Sequence, residues 1–286
     1  MTYCVALRLN AGLVFLSDSR TNAGVDQIGT FRKMTVFERP GERCVVLLTS
    51  GNLGVTQSVR QLLVEPDEGA SLWNAPNMHD AAAVVGAAVR KVFDRDSEAL
   101  KKQGIEFVCT LILGGQIRGE RCRLFQVYAA GNFIEAQDEN LYFQIGESKY
   151  GKPILDRVVT PATTLDEAAK CSLVSMDSTL RSNLSVGLPL DLLCYETDSL
   201  RVTRFVTIGP DNEYFKMVSR TWGQRLKQAF VELPNPTWAD AGSSQPVRAG
   251  VPPGPRAAGE KPAASVQAFA ETPPATSRPG PGGPTG

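Results

Sequence analysis

Apolar residues along this chain recur with two periods, and the change from one to the other marks out the elements. Residues 3–9 (Tyr3-Cys4-Val5-Ala6-Leu7-Arg8-Leu9) are an apolar run that reads as a strand. Asn10-Ala11-Gly12 is a short turn signal before a second run at 13–17. A turn centred on Ala11 makes Thr2 face Arg20 and places Asp18 two residues along on the same face. Residues 33–38 and 43–50 give a second hairpin about Arg39-Pro40-Gly41-Glu42. Its unbroken Cys44-Val45-Val46-Leu47-Leu48 is the pattern of a strand covered on both faces.

After Gly51 the period lengthens. A helix over residues 53–64 puts Val59, Leu62 and Leu63 on one side. A loop at 66–76 leads to a helix over 80–103, where Val85, Ala88, Val89, Val92 and Phe93 recur at three- and four-residue steps. Strands are predicted at 106–114, 121–129, 132–135 and 142–145, then a short helix at 152–158. Thr164-Leu165-Asp166-Glu167 is a capping box. It opens a helix that ends near Ser182 and turns Leu165, Ala169, Leu173, Met176 and Leu180 inward. Strands at 190–196 and 201–208 close the pattern. A last helix over 212–232 carries Phe215, Val218, Trp222, Leu226 and Phe230 on one face.

Two hairpins, two helices, several strands, two helices and more strands is neither βαβ alternation nor an all-β order. It predicts an α+β fold, two antiparallel sheets packed face to face with helices outside. From Pro234 the composition changes, and twelve of the nineteen prolines fall there among Gly, Ala and Ser. Apolar side chains are too sparse in that stretch to offset the entropy of ordering it. The expected organisation is therefore one domain at 1–235 and a disordered tail at 236–286.

Composition narrows the chemistry. The formal net charge is zero, so nothing predicts a nucleic-acid partner or an acidic membrane surface. No apolar run is long enough to span a bilayer, and the start lacks the basic and long apolar regions of a signal peptide. Six cysteines are scattered singly, as expected for free thiols in a reducing cytoplasm. His79 is the only histidine. A Ser-His-Asp or Cys-His enzyme would have to use it, and a multi-histidine metal site within one chain is excluded. No metal or cofactor is predicted. Glu139-Asn140-Leu141-Tyr142-Phe143-Gln144 coincides with an engineered protease recognition sequence, but it runs on into Ile145-Gly146-Glu147 and reads as native strand.

One arrangement stands out. Removal of Met1 ahead of a small residue leaves Thr2 with a hydroxyl close to its own α-amine, the base that activates an N-terminal threonine. Such an amine has a pKa of roughly 7.7–8.0, suited to a general base at neutral pH. Many chains begin Met-Thr with no catalytic purpose. Here, however, a turn centred on Ala11 would make Thr2 and Asp18 diagonal cross-strand neighbours, roughly 7–8 Å apart. One ammonium group bridges such a gap, and Lys33 heads the next strand.

Thr2, Asp18-Ser19-Arg20 and Lys33, followed by Thr49-Ser50-Gly51-Asn52 ahead of a helix and by Ile145-Gly146-Glu147-Ser148-Lys149-Tyr150-Gly151, resemble the proteasome β-subunit superfamily of N-terminal-threonine hydrolases. Within it, the pattern over about residues 2–235 looks most like Anbu, the bacterial proteasome-related peptidases. The resemblance implies a four-layer αββα sandwich of the N-terminal nucleophile hydrolase type. It also implies a threonine-type peptidase or amide hydrolase with Thr2, Asp18, Lys33 and the oxyanion-hole Gly51 as catalytic residues. Thr21, Phe31, Thr35 and Thr49 would line a moderate, uncharged substrate pocket. In two places the sequence departs from the family pattern. Glu147, beside Ser148, stands where a serine helps activate threonine, and Ser182 stands where the family has aspartate, three residues ahead of Ser185. Glu147 is then either a partner of Lys33 or the α-amine, or a plain surface carboxylate. Lys33→Ala is expected to abolish hydrolysis and leave the fold intact. Two functions follow: a threonine hydrolase of peptides or other amides, or a self-assembling scaffold that keeps the fold without turnover. Either implies a homo-oligomer, as a closed ring or an open helix; the sequence names no ATPase or adaptor.

Overall fold

The first hairpin closes through a tighter turn than its sequence predicts. In the computed structural model, which describes residues 2–23 and 27–236, β1 (Tyr3–Leu9) pairs with β2 (Gly12–Asp18) so that Leu9 lies opposite Gly12 and Cys4 opposite Ser17. Asn10 and Ala11 alone form the turn. The register is one residue off the expected one, which changes what faces Asp18, as described below. A short hairpin of β3 (Arg20–Ala23) and β4 (Gln27–Thr30) follows, with no apolar alternation to announce it.

The expected second hairpin is β5 (Met34–Arg39) and β6 (Arg43–Gly51). Two helices come next. α1 (Leu53–Val64) is capped by Asn52, whose side chain accepts from the N–H groups of Gly54 and Val55. α2 (Met78–Lys102) starts two residues before its predicted beginning because Asn77 caps it. β7 (Cys109–Ile117) runs three residues past its predicted end. Gly114 and Gly115 sit inside the strand, where a Cβ on Gly114 would lie 2.8 Å from the ring of Phe15 in the facing sheet. β8 (Arg123–Val127), β9 (Phe133–Glu135) and β10 (Tyr142–Gly146) complete this run.

α3 (Lys152–Val158) and α4 (Leu165–Ser182) match the sequence pattern, and both hydrogen bonds of the Thr164–Glu167 capping box are made. β11 (Leu190–Glu196), β12 (Arg204–Ile208) and α5 (Glu213–Glu232) end the described chain.

The strands form two antiparallel five-stranded sheets, β10-β1-β2-β11-β12 and β5-β6-β7-β8-β9. Strand side chains alternate between faces, and the buried apolar residues sort accordingly. Val45 and Leu47 of β6 and Leu111 of β7 pack with Val55 and Val59 of α1 and Val85 and Val89 of α2. Val5, Leu7, Val14 and Leu16 of the other sheet pack with Ala168 and Met176 of α4 and Phe215 of α5. A third cluster holds strand residues of both sheets, among them Ala6 and Phe15 against Val46, Leu48 and Ile112. The chain is thus mixed α/β with antiparallel sheets.

One expectation is met only in part. Phe215 and Val218 on α5 are buried, but Leu226 and Phe230 on the same face are exposed. Contacts divide the chain after Pro234. The stretch 237–286, expected to lack structure, lies outside the described residues.

Candidate active site

Asp18 ends β2, and the observed register explains one of its partners. Carrying the β1–β2 pairing one step past Cys4–Ser17 brings Asp18 opposite Tyr3, and the Tyr3 N–H donates to Asp18 Oδ1 at 3.1 Å. Lys33, just ahead of β5, donates from Nζ to the same oxygen at 2.7 Å and to the Arg20 carbonyl at 2.7 Å. The N–H of Gly187 lies 3.4 Å from Asp18 Oδ2. Lys33 is held in turn through its backbone, since the Thr49 N–H donates to its carbonyl at 3.0 Å. Asp18 is fully buried and Lys33 is 7% exposed. Burial pushes the Asp18 carboxyl up, and the Lys33 charge and hydrogen bond, with the two backbone N–H groups, pull it back.

Thr2 is buried at the head of β1 beside this pair. Its carbonyl accepts from the Glu147 N–H at 2.7 Å. Gly146 makes this approach possible. Its φ is +82°, and a Cβ there would overlap the Thr2 carbonyl. Gly51, at the end of β6, has φ +126°, and a Cβ would lie 2.7 Å from the Val108 carbonyl carbon. The next residue, Asn52, donates its N–H to that carbonyl at 2.8 Å.

Thr2, Lys33 and Gly51 open into one cavity of about 360 Å³. Of the residues expected in its wall, Thr21, Phe31 and Thr49 are there and Thr35 is not. Thr35 sits opposite Leu47 within the second sheet. The pocket is also not uncharged. Arg20, Arg32 and Arg60 line it alongside Lys33, because the strand-end and helix positions that carry them are brought together only in the fold. A larger cavity of about 720 Å³ lies against α1 and α2 and includes none of Thr2, Asp18 and Lys33.

Glu147 is neither a surface carboxylate nor bonded to Lys33. It is buried, accepts from Asn183 Nδ2 at 2.8 Å and has Lys149 Nζ 3.6 Å away. Ser148 is half-buried and Ser182 is exposed at the end of α4. Ser185 is half-buried, and its N–H donates to Asn183 Oδ1 at 2.9 Å. None of these three serines lines the cavity. The residues that sequence reasoning misses here are Asn183, Gly187 and the Tyr3 N–H. The first two lie in an aperiodic loop between α4 and β11, and the third is a backbone group without a residue signature. The buried pair argues against a Lys33→Ala variant that leaves the fold intact, because removing Lys33 would strand a buried carboxylate. Met1 lies outside the described residues. Among the described residues no cluster of three His, Cys, Asp or Glu side chains is placed to hold a metal ion. No described helix is long and apolar enough to cross a membrane. All six cysteines are buried and unpaired.

No family model matches the chain, and no curated protein matches it. Solved structures do. Anbu (ancestral β-subunit) from Yersinia bercovieri is 52% identical with a TM-score of 0.78, the match covering 82% of this chain and 99% of that one. An Anbu (Gly-1) mutant from Hyphomicrobium sp. strain MC1 is 52% identical with a TM-score of 0.78, covering 83% and 100%. The helical assembly of the Anbu complex from Pseudomonas aeruginosa is 49% identical with a TM-score of 0.80, covering 84% and 100%. Similarity of this depth, over nearly the whole of each of those chains, makes this a proteasome-related protein. Within that class, the chain belongs to the Anbu family.

Proposed function

We propose that the protein is an N-terminal threonine hydrolase of peptides or other amides, built on a four-layer αββα sandwich, with Thr2 as nucleophile once Met1 is removed. The observation that carries the reading is the buried Lys33–Asp18 pair at the cavity that Thr2 enters. In the reaction, Thr2 Oγ adds to the substrate carbonyl and passes its proton to the α-amine. The Lys33 charge, set by Asp18, disfavours a second cation nearby and so favours the neutral, proton-accepting amine. The Gly51 N–H receives the developing oxyanion. A donor of that kind contributes about 2.7–4 kcal/mol. As the intermediate collapses, the α-ammonium gives its proton to the departing nitrogen, the C–N bond breaks and an ester remains on Thr2; water, deprotonated by the same amine, then hydrolyses it to the acid and free Thr2. The buried, unpaired cysteines suit a reducing cytoplasm.

Intact-mass and N-terminal analysis after treatment with an epoxyketone or β-lactone tests this. The expected result is a chain that begins at Thr2 and carries one adduct there. A retained Met1, or labelling only elsewhere, overturns it.

The exposed Leu226 and Phe230 stripe on α5 supports a working form that is a homo-oligomer, as a ring or an open helix. It also favours the second reading, a self-assembling scaffold without turnover, should Thr2 prove unreactive. Light scattering at micromolar concentration is expected to give a mass of several protomers. A monomer at every salt and protein concentration would refute self-assembly.

A further inference from the structure

The cavity beside Thr2 has an unbalanced charge. Arg20, Arg32, Lys33 and Arg60 line it, and no described lining residue is acidic. Lys33 is matched by Asp18. Arg32 has Asp191 at 4.0 Å and lies over the Phe205 ring. Among the described residues, Arg20 and Arg60 have no carboxylate within ion-pair distance.

Both arginines reach the cavity for identifiable reasons. On α1, residues 53, 56, 57 and 60 share the face that lines it, while Val55, Val59 and Leu63 turn into the core. Arg60 is therefore delivered by helical period. Arg20 lies across Gly187, where a Cβ would sit 2.7 Å from Arg20 Cδ, and its Nη1 donates to the Leu184 carbonyl at 3.2 Å. A bare α-carbon seats the arginine. In the same wall, Thr21 Oγ1 is buried with no hydrogen-bond partner among the described residues.

We propose that this cavity selects an anionic acyl group. The substrate is an amide whose acyl side carries a carboxylate, as an aspartyl or glutamyl side chain does, with Arg60 and Arg20 as specificity-determining residues. A guanidinium presents a planar fork of donors matched to a carboxylate. Cations without counter-charges in a concave site concentrate anions there. The inference rests on the Thr2 reading only in calling the bound part the acyl side.

The test is equilibrium binding to the full-length Thr2→Ala protein, so it does not depend on turnover. Two neutral-capped tripeptides, acetyl-Ala-Ala-Glu-amide and acetyl-Ala-Ala-Gln-amide, are compared by calorimetry. The glutamyl peptide is expected to bind about tenfold more tightly, equivalent to about 1.4 kcal/mol. The preference should fall to about twofold in Arg60→Gln and shrink as salt shortens the Debye length from about 10 Å to about 3 Å. Lys101→Gln, an equal charge change outside the cavity, should retain it. Arg60 is exposed and makes no ion pair among the described residues, so its variant should fold. Equal or tighter binding of the glutaminyl peptide overturns the proposal. So does no binding of either peptide at millimolar concentration, or a preference that persists in the Arg20→Gln/Arg60→Gln double variant. A glutamyl preference without any Thr2 adduct in the wild type would sink the nucleophile and keep this inference. An adduct without the preference would do the reverse.

Discussion

Lys33→Met will destabilise the protein by about 3–5 kcal/mol, and it will abolish adduct formation at Thr2. The methionine keeps much of the apolar stem, so the loss is mainly electrostatic: Asp18 is fully buried, and Lys33 is its only cationic partner among the described residues. Removing one member of a buried pair leaves an uncompensated charge, which sets that magnitude. The pH dependence separates this cause from a packing defect. Burial already raises the Asp18 carboxyl in the intact protein, and without Lys33 it rises further. A carboxyl raised on folding makes the native state bind protons more readily than the unfolded one. Stability then increases as pH falls through the raised value toward the ordinary carboxylate range. The deficit of Lys33→Met should therefore shrink on acidification, and Asp18→Asn in the same chain should relieve much of it at neutral pH. Denaturant unfolding at fixed protomer concentration reads both, since assembly ties stability to concentration. A deficit that is independent of pH and unchanged by Asp18→Asn would show that the pair is not what Lys33 supports.

Gly146→Ala will slow labelling of Thr2 about 100-fold while leaving Lys33 and Asp18 in place. Alanine at φ +82° costs about 1–2 kcal/mol by itself. The larger effect is positional, because the new Cβ overlaps the Thr2 carbonyl that the Glu147 N–H holds. Thr2 has to move, and a displacement of about 1 Å at a reacting group costs about 100-fold. Gly119→Ala supplies the control. Gly119 has φ +86° and nothing within 4 Å of a Cβ, so it carries the strain without the collision. It should lose stability comparably and label at the wild-type rate. If Gly146→Ala labels as fast as Gly119→Ala, the position of Thr2 does not depend on this contact.

How much of the candidate site was legible varied with the type of signal. Thr2, Asp18 and Lys33 are legible as candidates from their side chains and spacing, and Gly51 through the family resemblance. Arg60 is not, because on α1 it reads as an ordinary exposed helical residue. Its place in the cavity follows from the opposite face of α1 packing on the second sheet. Asn183 and Gly187 were missed since they act through a backbone N–H and an amide in a loop without a period. For Glu147 the sequence allows a partner in Lys33 or the α-amine, or a plain surface carboxylate; the fold buries it against Asn183 and away from Lys33.

Local pattern by itself determined the helices, most strands, the capping box at Thr164 and the change of composition at Pro234. Each of these depends on residues within a turn or a pleat of one another, and one segment contains the information. The tertiary structure alone decided the hairpin register, the partners of Asp18 and Glu147, and the cationic wall. A shift of one residue at Asn10-Ala11 moved Asp18 opposite Tyr3, since successive strand side chains point to opposite faces. Asp18 meets a lysine 15 positions away and an N–H 169 positions away. Contacts across such separations depend on how whole sheets and helices pack, so no window of sequence contains them.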